Sequence, residues 1–135
     1  MAFSRQLLWS LTRYTITNKM RGRARFPFVL MLEPTLRCNL ACTGCGRIRE
    51  LKDSPNHSLS VAECLSAVDE SGVPIVSVTG GEPLLHPDIL QIVDQILARG
   101  RGVTLCTNGL LLEDSLDGFH PSPVSYTHLR AHETT

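Results

Sequence analysis

A chain of 135 residues with 42% apolar content is the size of one small domain and can bury a core of its own. Thirteen basic residues balance thirteen acidic ones, which excludes a global attraction to nucleic acid. No run approaches the roughly 18 apolar residues of a membrane span and no secretory signal opens the chain, so the expected location is the cytoplasm.

Residues 3–20 place Phe3, Leu7, Leu8, Leu11, Tyr14 and Ile16 at a spacing that predicts a helix with one apolar face. With the linker behind it, this forms a basic amino-terminal unit over residues 1–27. It carries Arg5, Arg13, Lys19, Arg21, Arg23 and Arg25, and no acidic residue precedes Glu33. The charge fits two readings: contact with phosphates or an anionic membrane surface, or a solvated helix flanking the core. Phe28 to Leu32 is a continuous apolar run, as in a strand buried on both faces. A cysteine-rich loop follows, then turn chemistry at Asp53-Ser54-Pro55-Asn56.

Ser60 and Glu63 form a capping-box pattern for a helix that buries Cys64, Leu65 and Val68 and stops at Gly72. Ile75 to Val78 reads as a second buried strand, ending at Gly80-Gly81. Pro87-Asp88 opens another helix, with Ile89, Val93, Ile96 and Leu97 on one face and Gly100 at its end. Val103 to Cys106 is a third strand, closed by Thr107-Asn108-Gly109. The order β, α, β, α, β over residues 28–123 predicts an α/β fold with parallel strands joined by right-handed crossovers. Ligands bind such folds at the carboxyl ends of the strands, where this chain places its Cys, Gly and Asn residues.

The alternation breaks off at Pro121-Ser122-Pro123. Val124 to Thr134 then resembles the translation of a transposon-end adaptor used in preparing sequencing libraries. Residues 124–135 are therefore set apart as a non-native tail, and the i, i+4 pair His128 and His132 is not taken as a metal site. The native part is then expected to be the amino-terminal piece of a longer enzyme. Three strands cannot close a barrel, so poor solubility or partial folding is expected of the piece alone.

Three of the five cysteines, Cys38, Cys42 and Cys45, fall within eight positions. Crowding of that kind favours metal ligation in a reducing compartment over disulfides. Two metal centres fit the spacing. One is an iron–sulfur cluster with three thiolate ligands and one open iron. The other is zinc, completed by His57, Cys64 or a residue further along. At Gly80-Gly81-Glu82-Pro83, the glycines permit close approach of a ligand, and Glu82 can accept hydrogen bonds from an ammonium group. The same four residues also suit a plain tight turn before a helix, as Asn108 suits a turn.

Taken together, Cys38-Asn39-Leu40-Ala41-Cys42-Thr43-Gly44-Cys45, followed one βα unit later by Gly80-Gly81-Glu82-Pro83, resembles the radical S-adenosylmethionine (SAM) superfamily. The resemblance implies a partial (βα)6 barrel, of which residues 28–123 are the first three βα units. It also implies a [4Fe–4S] cluster on Cys38, Cys42 and Cys45, with S-adenosyl-L-methionine chelating the open iron. Gly80, Gly81, Glu82 and Pro83 would meet the methionyl ammonium, and Asn108 would help to place SAM. An electron donor such as flavodoxin or ferredoxin would drive cleavage to methionine and a 5′-deoxyadenosyl radical. Many members carry an aromatic residue before the third cysteine; here that position is Gly44.

A narrower likeness runs from about residue 5 to residue 123. Met31-Leu32-Glu33-Pro34, Arg37 through Gly46, Leu59-Ser60-Val61, Gly80 through His86 and Leu105-Cys106-Thr107-Asn108 together resemble the hopanoid-biosynthesis adenosylhopene transferase family, which shares the Gly44 feature. This implies a transferase that adds the deoxyadenosyl radical to the terminal alkene of a hopene-type triterpene, giving adenosylhopane. The resulting carbon radical needs a hydrogen atom, and the Cys106 thiol is the candidate catalytic donor; burial for packing is the competing reading. Cys64 is read as packing only. A substrate that lives in membrane also suits peripheral contact of the basic helix with the inner face of the membrane. Another radical SAM reaction, a zinc-binding module and an inactive fragment are the remaining alternatives.

Overall fold

The computed structural model describes residues 5–46, 57–115, 118 and 125–128. The turn expected at 53–56, Phe3 and His132 lie outside the described residues. Among the described residues the α-helices are α1 (Arg5–Met20), α2 (Val61–Ser71), α3 (Ile89–Ala98) and the single turn α4 (Leu112–Ser115). The strands are β1 (Val29–Thr35), β2 (Ile75–Gly80), β3 (Gly102–Thr107) and β4 (Ser125–His128). They form one sheet in the order β1-β2-β3-β4, parallel throughout. The expected βαβαβ order is present; α4 follows β3 before Pro121, and β4 lies beyond Pro121, where the sequence pattern breaks off.

One face of the sheet carries the core. Leu32, Val76, Val78, Val103 and Leu105 pack against Cys64, Leu65 and Val68 of α2 and against Ile89, Ile92, Val93 and Ile96 of α3. Each fully buried side chain of this size contributes about 1.5–3 kcal/mol. The helix α2 starts where the sequence pattern puts it. Ser60 Oγ accepts from the Glu63 amide at 3.3 Å, and Glu63 Oε2 accepts from the Ser60 amide at 2.8 Å. The Ser60 hydroxyl, which donates to Glu63 Oε2 at 2.7 Å, and then the Ser60 amide hold the Glu63 carboxyl below its ordinary range. At the other end, Gly72 takes a left-handed φ of 62° that closes the helix.

Two expectations need correction. The run Phe28 to Leu32 is not buried on both faces: Val29 and Met31 are exposed, Met31 by 68%. They lie on the sheet face that no described helix covers. The same face of β2 and β3 carries Ser77, Thr104 and Cys106, all half-buried. The second correction concerns α1. Its inward side is Leu7, Leu11, Tyr14 and the buried Asn18, whereas Leu8 and Ile16 face outward with Trp9 and Met20. Aromatic and polar anchors decide this docking rather than the longest apolar stripe. Tyr14 Oη donates to the Pro27 carbonyl at 2.7 Å, and its ring meets Phe26 and Phe28 edge-on at 5.7 Å each.

Leu7 reaches Gly102, where β3 begins, so α1 lies across the amino-terminal ends of the strands. The predicted loops occupy the opposite, carboxyl-terminal ends. No helix among the described residues is long and apolar enough to cross a membrane.

Candidate functional site

The carboxyl ends of β1, β2 and β3 meet in one hydrogen-bonded junction. Strand β2 runs out at Gly80, and the Gly81 amide donates to the Thr35 carbonyl at 3.1 Å. Next, the Glu82 amide donates to the Arg37 carbonyl at 2.7 Å. Such contact leaves no room for side chains on either glycine. A Cβ on Gly80, whose φ is 117°, would collide with the Thr35 carbonyl oxygen. On Gly81 it would come within 2.6 Å of both the Arg37 carbonyl carbon and the Leu36 oxygen. The two glycines therefore serve a close backbone crossing with the segment that launches the cysteine loop.

Glu82 is fully buried, and its partners are protein groups. Oε1 accepts from Thr107 Oγ1 at 2.8 Å and from the Leu84 amide at 3.0 Å, while Oε2 accepts from the Asn108 amide at 2.8 Å. The sequence reading had this carboxylate accepting from a ligand's ammonium group. In the structure it joins the end of β2 to the end of β3 and caps the 3-10 turn Pro83–Leu85. Charge-assisted bonds of this kind are about twice as strong as neutral ones, and burial demands them.

The cysteine loop leaves β1 at Thr35. Cys38 is exposed, and Cys42 and Cys45 are half-buried; all three are free thiols. A tight turn through Gly44, φ 86°, brings the Cys45 amide to the Cys42 carbonyl at 3.2 Å. Asn108 Nδ2 donates to Asn39 Oδ1 at 2.7 Å, so the loop is tied to the end of β3. Asn108 also forms a turn of its own, its Oδ1 accepting from the Leu110 amide at 3.0 Å. Both readings of Asn108, turn former and site residue, thus describe the same side chain.

Among the described residues, no three Cys, His, Asp or Glu groups converge closely enough to hold a single metal ion. A four-iron cluster takes one thiolate on each of three separate irons, so its ligands stand wider apart than those of one zinc ion. Three free thiols on one short loop at the ligand edge of the sheet fit that donor set. Of the zinc partners considered from sequence, neither His57 nor Cys64 joins them among the described residues. Cys64 is buried in the core, where desolvation, aided by the Glu63 charge, pushes its thiol up to about 11. It packs, as expected, and does not offer the thiolate a metal needs.

Cys106 lies outside the core cluster. It is half-buried on the uncovered sheet face, with Sγ 3.7 Å from Ser77 Oγ. Sequence reasoning missed three buried polar residues that hold the junction. Thr107 binds Glu82, and Thr35 Oγ1 accepts from Ser58 Oγ at 3.0 Å. His86 Nδ1 accepts from the Asp88 amide at 3.1 Å, which leaves Nε2 as the donor to the Leu59 carbonyl at 2.8 Å. A usable signal existed for the first: a carboxylate directly after an apolar strand requires donors from the neighbouring strand end.

The sequence profile described as "Radical SAM superfamily" matches residues 32–133. The chain belongs to the radical SAM superfamily. Members of this superfamily use a [4Fe–4S] cluster and SAM. A probable GTP 3′,8-cyclase of Methanopyrus kandleri is 47% identical over 85 residues, covering 59% of this chain and 26% of that protein. The subtilosin biosynthesis protein AlbA of Bacillus subtilis is 31% identical over 112 residues, covering 78% of this chain and 24% of AlbA. The crystal structure of Streptococcus suis SuiB bound to its precursor peptide SuiA aligns with a TM-score of 0.54 at 25% identity. That alignment covers 80% of this chain and 25% of SuiB. The radical SAM chain thus spans about a quarter of the length of these relatives, and its parallel α/β sheet is the fold expected of a partial radical SAM barrel.

Proposed function

We propose that this chain carries the cofactor-binding part of an enzyme that cleaves SAM reductively and adds the 5′-deoxyadenosyl group to a hopene-type triterpene. The observation that carries the first half is the junction itself: Gly80, Gly81 and Glu82 bind the loop of Cys38, Cys42 and Cys45 to the ends of β1 and β3. Held by those cysteines, a [4Fe–4S] cluster would supply the electron that breaks a carbon–sulfur bond of SAM, drawn from a flavodoxin or ferredoxin. Glu82 is then a positioning residue: its carboxylate fixes the loop whose backbone, with Pro83, meets the methionyl end of SAM. Asn108, through Asn39, keeps the cysteine loop registered on the same edge.

The triterpene half of the reading rests on the sequence likeness beyond the shared motifs, at Met31 to Pro34, Leu59 to Val61 and Leu105 to Asn108. The cyclase and the subtilosin biosynthesis protein are each matched over only about a quarter of their own length. Their reactions therefore do not specify this one. Cys106, on the uncovered sheet face beside the junction, would give a hydrogen atom from Sγ to the carbon radical left after addition. An electron from the same reductant and a solvent proton would restore the thiol. The outward Leu8, Trp9, Ile16 and Met20 of α1, beside Arg5 and Arg13, suit peripheral contact with the cytoplasmic face of a membrane.

The test is product analysis with the full-length enzyme, reconstituted without oxygen and given SAM, reductant and either hopene or GTP. Adenosylhopane from hopene supports the transferase reading. A cyclised nucleotide from GTP would overturn it and leave the radical SAM assignment intact. For Cys106→Ala, the expected result is consumption of SAM with little adenosylhopane; an unchanged yield removes Cys106 from the mechanism.

A further inference from the structure

At the strand ends remote from the cysteine loop, α1, the last turn of α2 and the segment joining α3 to β3 enclose a half-open cavity of about 530 Å³. Its charged lining is Arg13, Arg21, Arg23, Arg99 and Arg101, with Glu70 as the one carboxylate. Arg99 is already engaged, with Nε on Asp69 at 3.0 Å and Nη1 on Gln95. No carboxylate lies within ion-pair distance of Arg13, Arg21 or Arg23 among the described residues.

Arg101 supplies a second and independent observation. Its Nη1 donates to the Gly72 carbonyl at 3.2 Å, while its Nε is buried without any hydrogen-bond partner among the described residues. A buried guanidinium N–H left unpaired is costly, because the group has lost water and gained no acceptor. Guanidinium groups match phosphate oxygens in charge and in fork geometry, and a volume of this order accommodates a small ligand.

We propose that this cavity is a phosphate-binding site, taking a phosphomonoester or phosphodiester group on Arg13, Arg21, Arg23 and Arg101. The described lining runs from Ser10 to Arg101. It lies at the opposite end of the strands from the cysteines, so its occupant is not the group that reacts. The phosphate belongs either to an anionic lipid headgroup, reached beside the outward Leu8 and Trp9, or to a soluble phosphate ester.

The test uses the full-length enzyme and its Arg21→Gln/Arg23→Gln double variant, both changes being at exposed positions; circular dichroism checks that the fold is retained. Inorganic phosphate, titrated against chloride at matched ionic strength, is expected to raise the unfolding temperature saturably. The double variant should bind phosphate at least tenfold more weakly. Arg101→Lys, which keeps the charge and loses the fork, should weaken it in the same direction. Flotation with phosphatidylglycerol and phosphatidylcholine vesicles separates the sources. Retention on phosphatidylglycerol alone, lost in the double variant, identifies a lipid headgroup. A phosphate response without vesicle binding identifies a soluble ester. A wild-type enzyme that treats phosphate like chloride, or a double variant that responds like wild type, overturns the site.

Discussion

The two halves of the cofactor edge are built in contrasting ways. The Gly80–Pro83 loop is fastened by the protein's own groups: one backbone bond to Thr35 at the end of β1, one to Arg37 just beyond it, and three bonds to the buried Glu82 carboxylate. Among its described residues the cysteine loop has an exposed Cys38, a tight turn and one side-chain to side-chain bond, Asn108 to Asn39, to the rest of the edge. The first loop is pre-organised by folding, whereas the second leaves its thiols free for the group it is proposed to hold. Coupling of metal binding to local order follows from that division, since thiolates gain their fixed geometry when they are ligated.

Substitutions in the two loops should therefore separate stability from iron content. The largest loss of stability is expected for Gly81→Ala, where the new Cβ overlaps the backbone of Leu36 and Arg37. A cost of about 1–3 kcal/mol or more in chemical denaturation, with weakened SAM binding, is the expected outcome. If Gly81→Ala were as stable as wild type, the close crossing would not be holding the edge together. Glu82→Gln keeps the shape but turns one acceptor oxygen into a donor facing protein N–H or O–H groups. About 1.5–3 kcal/mol should be lost, and Thr107→Val should add little further loss in the Glu82→Gln background.

Smaller effects sharpen the contrast. Asn39→Ala removes one exposed bond and should cost under about 1 kcal/mol, while raising the SAM concentration needed for half-maximal cleavage. Cys38→Ser should leave the unfolding free energy of the iron-free protein unchanged within about 0.5 kcal/mol, because the side chain is exposed. Its iron–sulfur absorbance should nevertheless be lost. An iron-free Cys38→Ser protein as destabilised as Gly81→Ala would erase the distinction between the two loops.

Much of this arrangement was legible in the residues. The Ser60/Glu63 box, the stop at Gly72 and the strand–helix alternation are local patterns, and the structure contains each of them. The spacing of the three cysteines and the Gly-Gly-Glu-Pro string were enough to indicate the superfamily. Less accessible was the outward side of β1, because an apolar run such as Val29 to Leu32 has no periodicity from which to tell one buried face from two. The orientation of α1 is hidden in the sequence for a related reason. Apolar residues occur around much of the helix, and Tyr14, bonded to Pro27 and packed on Phe26 and Phe28, decides which side docks.

The sequence alone determined the order of elements, the thiol-bearing loop and its relation to the next strand, since hydrophobic period, caps and turn residues act over a few positions. Only the tertiary structure decided what Glu82 does, because its acceptors are filled from Thr107 and Asn108, 25 and 26 residues away. The same holds for the cavity at the amino-terminal ends of the strands, lined by Arg13 of α1, by Arg21 and Arg23 just behind that helix and by Arg101 before β3. Satisfying a buried charge is a three-dimensional requirement, met by whichever donors the packed strands bring within reach.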